Sequence, residues 1–595
     1  MNRPVHLNGT ADGTADGTAA DAAAKPRFSV MEGFLWLSIA LGAVLRSLWV
    51  GKRELWYDEV LSVLLSSGQK NAYKLPDNTP FAVTDISSVL SLPTENGVAG
   101  ALETVKNLVK GTLGDPHPPL FYLGEHAWMR LFGNGEGALR SLVMLGSLVA
   151  LLVSYTVGKR VLGPRGGLIF TALLALNPFF FSHSLNLRMY APMVLWVLVS
   201  AGCFFTLVGL RFEHGSLGLN PVRGWRHWLL RGGMAIALTA GLLTQYLFAY
   251  WLFALAALVL YVDRKHWFQH GLTIGASVLL FLPWVGWGVR QQINNRSDVL
   301  NQISSSGGPF QAMLAHGKDL AQTLANHLLL GHLTTSMLPT GDPIKPTAVA
   351  IGCGVISFLA LCIVGLYRRR QYKVLMVTVL MGLVPLAVAL GIDIAANKYT
   401  LGFGWGRSAM VALPGCLLLV AAWLELGTGR WRTGITAGLL AVYLVVTISD
   451  FAGRDRQMFH QLGQYLPETD EPALVVMNSR AWGNVLRLVY YLDDGWAEGI
   501  DVLVSDPAKV TESLTAALDA KPYRTVLWLN AEYPLWGVPE SPAEAEAFTA
   551  QTEALLQASY PPTPSTPLPV QLQGTMNLDR FTLKAYYLPL ESASK

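Results

Sequence analysis

Long apolar runs separated by short polar segments cover most of the chain. About eleven of these runs approach the roughly 20 apolar residues that a helix needs to cross a bilayer. They lie near 31–50, 138–157, 167–182, 190–210, 232–246, 248–262, 271–289, 347–366, 374–391, 409–426 and 434–449. This pattern predicts a polytopic α-helical membrane protein.

Composition agrees with that prediction. Of the 595 residues, 52% are hydrophobic and only 14% are charged, against roughly 25% charged residues in an ordinary soluble protein. A soluble chain of this length would need several domains, each with a charged surface. Because the basic residues cluster between apolar runs, the net charge of +4 reflects membrane topology and gives no reason to expect a nucleic-acid partner.

The basic loops predict the orientation of the chain. Most Lys and Arg between the apolar runs lie in the segments 158–166, 211–231, 263–267, 367–373 and 427–434. Positively charged loops stay on the cytoplasmic side of a membrane. We therefore expect an integral plasma-membrane or inner-membrane protein with a cytoplasmic N-terminus and, after eleven spans, an extracytoplasmic C-terminus.

Two long loops then lie on the outer side, at 51–137 and 290–346. The amphipathic stretch 98–111 and the segment 115–133 are too short or too polar to span, and they are typical of juxtamembrane helices. A similar helix is predicted around 309–330. The first 28 residues are rich in Gly, Ala, Thr and Asp and predict a disordered cytoplasmic tail.

The pattern changes after Asp450. Runs typical of strands, at 473–478, 499–504, 524–530 and 581–590, alternate with amphipathic helical stretches. This alternation predicts a soluble α/β domain over residues 451–595 on the outer side of the membrane. The transmembrane part would then occupy residues 29–450.

The first candidate chemistry is the segment "RELWYDEVLSV" at 53–63, just after the first apolar run. Charged groups at the mouth of a span are costly, so Asp58 and Glu59 are functional candidates. Consecutive helical residues point about 100° apart. We therefore expect one acid to act in a site and the other to anchor the loop, although a solvated pair at the end of a span would have the same position.

Four further motifs follow in order: "DPHPPLFY" (115–122), "FGNGEGALRS" (132–141), "SLNLRMY" (184–190) and "GRSAMVALPGCLLLVAA" (406–422). With the acid pair they resemble the C-type glycosyltransferase (GT-C) superfamily, specifically the protein mannosyltransferase and aminoarabinose-transferase branch, family 39. The resemblance covers roughly residues 30–450 and implies a GT-C-like bundle. Its matching positions in the first loop are Asp58-Glu59, His117-Pro118-Pro119 and Arg140.

The resemblance implies an enzyme that moves one sugar from a polyprenyl-phosphate carrier to an acceptor hydroxyl, with inversion. A phosphate monoester, whose last pKa is about 6, leaves without a protonating acid, so one carboxylate base suffices. The resemblance gives Asp58 the role of that base. Glu59 would fix the loop or hold a cation.

The departing phosphate also needs positive charge in a poorly hydrated site. The basic candidates are Arg188, Arg407, Lys398 and Arg140. Arg188 and Arg407 come first because a guanidinium offers phosphate a two-pronged contact. Tyr190 and Trp405 flank these two and are expected to stack on sugar or lipid. For a single arginine, contact with lipid headgroups is an alternative.

Other candidates have structural alternatives. Arg140 could pair with Asp58 or Glu59 and set their pKa. His117 could bind a metal or hydrogen-bond the loop, and the two prolines after it favour a structural role. A divalent cation therefore stays an open prediction.

Several functions remain compatible with the sequence. The sugar is unspecified, and the acceptor could be lipid, protein or polysaccharide. The competing hypotheses are a polysaccharide polymerase or ligase that uses pyrophosphate-linked oligosaccharide, a lipid-linked sugar transporter or flippase, and a non-catalytic scaffold.

Overall fold

The structure is a computed structural model, and it describes residues 29–295, 309–333, 345–402, 404–453, 456–466, 471–493, 499–535, 537–561, 569–573 and 579–588. The predicted N-terminal tail lies outside these residues. So do the segments 296–308 and 334–344 of the second long loop.

The helices and strands are numbered along the chain. The helices up to residue 453 are α1 (Val30–Trp49), α2 (Tyr57–Ser66), α3 (Val83–Ser87), α4 (Gly97–Gly111), α5 (Leu120–Phe132), α6 (Glu136–Leu176), α7 (Pro178–Ser184), α8 (Tyr190–Leu207), α9 (Trp225–Thr244), α10 (Ala249–Val262), α11 (Trp267–Trp284), α12 (Arg290–Asn295), α13 (Pro309–Ala325), α14 (Pro346–Arg368), α15 (Tyr372–Ala396), α16 (Leu413–Leu426) and α17 (Arg432–Gly453). Those after it are α18 (Met458–Gly463), α19 (Trp482–Asp493), α20 (Val510–Ala520) and α21 (Pro542–Ser559). The strands are β1 (Phe81–Ala82), β2 (Leu210–Glu213), β3 (Ser216–Leu219), β4 (Ala473–Met477), β5 (Ile500–Val504), β6 (Thr525–Ala531), β7 (Val570–Gln573) and β8 (Arg580–Tyr587).

The predicted polytopic helical fold is confirmed. Within the described part of the chain, eight helical segments are long and apolar enough to cross a membrane, and they are built on α1, α6, α8, α11, α14, α15, α16 and α17. The other predicted spans are also mainly helical: α6 contains 138–157, the end of α6 and the start of α7 cover 167–182, and α9 and α10 cover most of 232–246 and 248–262. The chain is therefore an integral membrane protein.

Helix α6 holds two predicted spans because it is broken in its middle. Gly163 has φ 80° and ψ 177°, a conformation that only glycine adopts readily, and Pro164 follows it. The two arms then pack closely, since a Cβ atom on Gly158 would lie 2.9 Å from the Cα of Gly167. Small residues allow such close helix contact in membranes.

The centre of the bundle is α16. In the most apolar stretch of the segment from Arg407 to Leu426, 89% of the residues are buried inside the protein, a larger share than in any of the other seven candidate spans. A 3₁₀ turn, Arg407–Ala412, leads into this helix. Arg407 therefore stands at the end of the most enclosed helix of the bundle.

The C-terminal part forms a mixed α/β sheet with the strand order β1-β5-β4-β6-β8-β7. The four predicted strands are present as β4, β5, β6 and β8, and β4 pairs in parallel with both β5 and β6. One contact departs from the predicted division of the chain. Strand β1 of the first loop joins the sheet next to β5, with Phe81 opposite Val502. The first long loop and the C-terminal part of the chain thus share one sheet.

Candidate active site

Helix α2 presents the acid pair at its first turn. Trp56 is the N-cap residue, and its backbone N–H donates to Oε2 of Glu59 at 2.9 Å. A carboxylate that reaches back to the cap in this way stabilises the start of a helix, and negative charge there is favoured by the helix dipole. The chain after Trp56 therefore enters a helix with both acids in its first turn.

Glu59 is the anchor of the pair. Its side chain is fully buried and receives Nε and Nη2 of Arg140 at 2.7 and 2.8 Å. The backbone N–H of Leu187 donates to the same carboxylate at 2.8 Å. Burial raises the pKa of Glu59, but the charge and hydrogen bonds of Arg140 outweigh it and lower the pKa to about 2. Glu59 and Arg140 thus form a buried ion pair.

Asp58 points to a different set of partners. Its Oδ2 accepts a hydrogen bond from Nη1 of Arg407 at 2.8 Å, and Nη2 of Arg188 lies 3.9 Å away. The side chain is 21% exposed, so it can be reached from outside. Burial raises the pKa of Asp58, but the charges of Arg188 and Arg407 outweigh it and the pKa is lowered. Asp58 is therefore ionised at neutral pH.

Aromatic rings surround Arg407. Its guanidinium lies 5.3 Å from the ring centre of Tyr190, 5.7 Å from that of Trp56 and 5.8 Å from that of Trp405. Such contacts with ring faces stabilise a cation. The turn before it is tight, because Trp405 has φ 63°, which is rare for a residue with a side chain.

Arg188 approaches the acid from the other side. Its Nη1 donates to Oγ of Ser62 at 3.1 Å and to the carbonyl of Asp58 at 3.3 Å. Its Nε is buried and meets no acceptor among the described residues. Oδ1 of the neighbouring Asn186 accepts from the indole N–H of Trp56 at 2.8 Å.

His117 belongs to a second small network beside this site. Its backbone N–H and its Nδ1 contact Oδ1 of Asp115 at 3.0 and 2.7 Å, and the hydroxyl of Tyr122 donates to the same oxygen at 3.0 Å. Burial raises the pKa of Asp115, but the charge and hydrogen bond of His117 outweigh it and the pKa is lowered. Because a carboxylate only accepts, Nδ1 carries the proton.

Lys398 is placed differently from the other candidates. It follows α15, where its backbone N–H donates to the carbonyl of Asp393 at 2.9 Å. The described contacts of Asp58 do not include it. The structure thus brings together Asp58, Arg188, Tyr190, Trp405 and Arg407. Glu59 and Arg140 form a separate buried pair next to Asp58.

Sequence reasoning missed several participants. Asp115 stands in the same motif as His117, and Trp56 stands two residues before Asp58, so both could have been found by their position. Arg456 could not, because it lies in the C-terminal part and reaches Oε2 of Glu59 at 3.6 Å. The contact joins positions almost four hundred residues apart.

A cation site is not apparent in this region. Over the described ranges, no group of three or more His, Cys, Asp or Glu residues could hold a metal ion. Among the described residues, the structure therefore identifies no ligands for the predicted divalent cation.

Comparisons with known proteins give one family match and several similar solved structures. Residues 116–287 match the family model described as dolichyl-phosphate-mannose-protein mannosyltransferase. No curated protein matches the chain.

Three solved structures illustrate the similarity. The Archaeoglobus fulgidus oligosaccharyltransferase is 11% identical with a TM-score of 0.44, over 83% of this chain and 69% of that one. ArnT from Cupriavidus metallidurans, bound to undecaprenyl phosphate, is 14% identical with a TM-score of 0.37, over 95% of this chain and 99% of that one. The Saccharomyces cerevisiae Pmt1–Pmt2 complex, bound to its sugar donor, is 11% identical with a TM-score of 0.30, over 45% and 35%.

One further structure of the Archaeoglobus fulgidus oligosaccharyltransferase, 12% identical over 83% of this chain and 68% of that one, with a TM-score of 0.42, is a complex with Zn and sulfate.

The match over residues 116–287 includes the "DPHPPLFY" segment from Pro116 onward, together with Arg140, Arg188 and Tyr190. The resemblance of this chain to the GT-C glycosyltransferases, predicted from its motifs, is confirmed.

Proposed function

We propose that the chain transfers a single sugar from a polyprenyl-phosphate donor to an acceptor hydroxyl at the outer face of the membrane. The observation that carries this proposal is the setting of Asp58. Its partly exposed carboxylate contacts Arg407 at 2.8 Å and has Arg188 within 3.9 Å. A base next to two phosphate-binding cations is the minimum that such a transfer needs.

Two buried donors support an anionic ligand next to Asp58. Nε of Arg188 and Nε1 of Trp405 meet no acceptor among the described residues, and their side chains are 4% and 5% exposed. Buried N–H groups without a partner cost free energy, which an incoming acceptor atom would recover. The oxygens of a phosphate are suited to both.

Donor binding would also activate the base. Nη1 of Arg407 donates to Asp58, and this contact lowers the pKa of the carboxyl. When Arg407 turns to the donor phosphate, Asp58 loses part of that stabilisation and becomes a stronger base. The base would thus gain strength only when a donor is bound.

The reaction then needs one base and one cationic group. Asp58 takes the proton of the acceptor hydroxyl, and the acceptor oxygen attacks the anomeric carbon from the face opposite the carrier. The new carbon–oxygen bond forms as the bond to the phosphate oxygen breaks. The polyprenyl phosphate leaves with the electron pair, and Arg188 and Arg407 stabilise its charge. Attack from the opposite face inverts the sugar.

The test is transfer by the purified protein in vesicles, combined with mass spectrometry of the lipid that co-purifies. We expect a polyprenyl phosphate that carries one sugar. Asp58→Asn should lower the transfer rate by about 10²–10⁴-fold, the usual contribution of a general base. Asp77→Asn, an exposed residue of the same loop, is the matched control and should leave the rate unchanged.

Two results would contradict the proposal. Turnover of the Asp58→Asn protein at the normal rate would remove Asp58 as the base. Movement of lipid-linked sugar across the vesicle membrane without any acceptor would favour the transporter hypothesis instead.

A further inference from the structure

The α/β domain contains a cavity of about 700 Å³ away from Asp58. It lies at the carboxyl ends of β4 and β6, where Asn478 and Asn530 stand, and helix α21 closes one side. Strand β4 is central, because β5 pairs with one edge of it and β6 with the other. In open α/β sheets the crevice at such a reversal of strand order is the usual place for a ligand.

The lining of this cavity disfavours anions. It contains four glutamates, Glu532, Glu540, Glu546 and Glu553, and no Lys, Arg or His among its described residues. Two of the glutamates pair with cations that do not line the cavity. Oε1 of Glu532 lies 3.4 Å from Nη1 of Arg580, and Oε1 of Glu553 lies 2.5 Å from Nζ of Lys584. A phosphate, a nucleotide or an acidic lipid would therefore meet excess negative charge.

The same lining presents a buried hydrogen-bond donor. Trp528 is 1% exposed, and its Nε1 meets no acceptor in the described part of the chain. Nearby, Nδ2 of Asn478 donates to Oδ1 of Asn530 at 2.6 Å, and Nδ2 of Asn530 donates to Thr549 at 3.3 Å. The two amides are thus held in fixed positions at the strand ends.

These features together select the class of ligand. An ammonium group could bind the carboxylates but offers no acceptor to the indole N–H of Trp528. A hydroxyl group offers both a donor and an acceptor. The apolar part of the wall, which includes Val538 and Phe548, suits the C–H face of a sugar ring.

We propose that this cavity binds a neutral saccharide and holds the acceptor for transfer. The assignment as acceptor rests on the function proposed above, whereas saccharide binding itself does not. The cavity wall continues directly to the membrane site, because Glu532 and Pro534 line the cavity while Tyr533 and Leu535 pack against Trp56 and Trp405. One segment therefore connects the cavity with the ring cluster around Arg407.

The test is binding of neutral trisaccharides, namely maltotriose, cellotriose and mannotriose, to the full-length protein in detergent, measured by calorimetry. At least one of them should bind, and a hyaluronan tetrasaccharide, which is anionic, should bind more weakly. Trp528→Phe keeps a ring but removes the N–H, and it should weaken the binding about tenfold. Glu546→Gln should weaken it as well.

Matched controls lie outside the cavity. Trp431→Phe and Glu512→Gln change exposed residues of the same types and should leave the affinity unchanged. Equal affinity of the Trp528→Phe and unmodified proteins, no binding of any neutral trisaccharide, or tighter binding of the anionic one would overturn the proposal.

The experiments distinguish failure of the proposed function from failure of the proposed saccharide site. The Asp58→Asn protein should still bind the trisaccharide, since its cavity is intact. Saccharide binding without any transfer by the unmodified protein would remove the proposed function and leave the saccharide site. Transfer at an unchanged rate and acceptor KM in Trp528→Phe, despite lost trisaccharide binding, would overturn the assignment as acceptor site.

Discussion

Asp58 and Glu59 are neighbours in sequence but differ in burial and in partners. Glu59 is fully buried and held by Arg140, whereas the carboxylate of Asp58 is 21% exposed and contacts Arg407. The difference follows from helix geometry, because consecutive side chains point about 100° apart. Of the two carboxylates, only that of Asp58 is partly exposed.

The contact between Asp58 and Arg407 predicts a change in pH dependence. In Arg407→Gln the carboxyl loses a charge and a hydrogen bond that lower its pKa, so its pKa rises. Asp58, as the proposed base, must be ionised to act, so activity should fall as the pH drops through this pKa. We therefore expect the acidic limb of kcat/KM to move to higher pH, and the donor KM to rise.

Arg130→Gln is the matched control for this change. Arg130 lies in the same loop and pairs with Glu95, not with Asp58. Its acidic limb should coincide with that of the unmodified protein. An unshifted limb and an unchanged donor KM in Arg407→Gln would argue against the role of Arg407.

Helix α2 and the segment before it are held from two sides. Nη1 and Nη2 of Arg140 donate to the carbonyls of Arg53 and Glu54 at 2.5 and 2.9 Å. From the C-terminal domain, the hydroxyl of Tyr491 accepts the backbone N–H of Leu55 at 2.6 Å. The segment before Asp58 is therefore held by the membrane bundle and by the C-terminal domain together.

Removing Arg140 would leave the buried carboxylate of Glu59 without its main partner, which should lower the stability of the protein. Breaking a buried pair from one side costs about 3–5 kcal/mol, and we expect the free energy of unfolding to fall by about 3 kcal/mol because Arg456 remains near Glu59. The measurement is denaturant unfolding of the detergent-purified Arg140→Ala protein. Lys106→Ala, which breaks an exposed pair with Glu103, should leave stability unchanged.

The pH dependence of this effect has a definite sign. In the unmodified protein the pKa of Glu59 is lowered from 4.5 to about 2, so the pair stabilises the fold above pH 4.5 and that stabilisation is lost as the pH falls toward 2. In Arg140→Ala, burial instead raises the pKa, and protonation of Glu59 relieves the unpaired charge. The deficit of Arg140→Ala should therefore shrink on acidification, and a deficit that grows would contradict this explanation.

The whole molecule combines a helical membrane bundle with an α/β domain that shares a strand with the first loop. This arrangement requires the first loop and the C-terminal domain to lie on the same side of the membrane. The β2–β3 hairpin, in the basic segment 211–231, is predicted to lie on the cytoplasmic side.

Labelling of single cysteines tests this orientation. With the four natural cysteines replaced, Asp77→Cys in the first loop should react with a membrane-impermeant thiol reagent in intact cells. Glu213→Cys in the hairpin should react only after the membrane is opened. The reverse pattern would place Asp58 on the cytoplasmic side and rule out an outer-face reaction.

The sequence was sufficient for the features that depend on local pattern. Apolar runs identify membrane helices because every span must meet the same requirement of length and hydrophobicity. Strands such as 473–478 followed from their apolar, β-branched composition. The acid pair and the arginines at 188 and 407 stood out because charge is rare in such a chain.

Only the tertiary structure decided which of these residues meet. It paired Glu59 with Arg140 and Asp58 with Arg407, and it added Asp115, Arg456 and β1. It also formed the cavity around Trp528. Such contacts join positions far apart in the chain, where many partners are compatible with the local pattern and only the packing of the whole fold selects one.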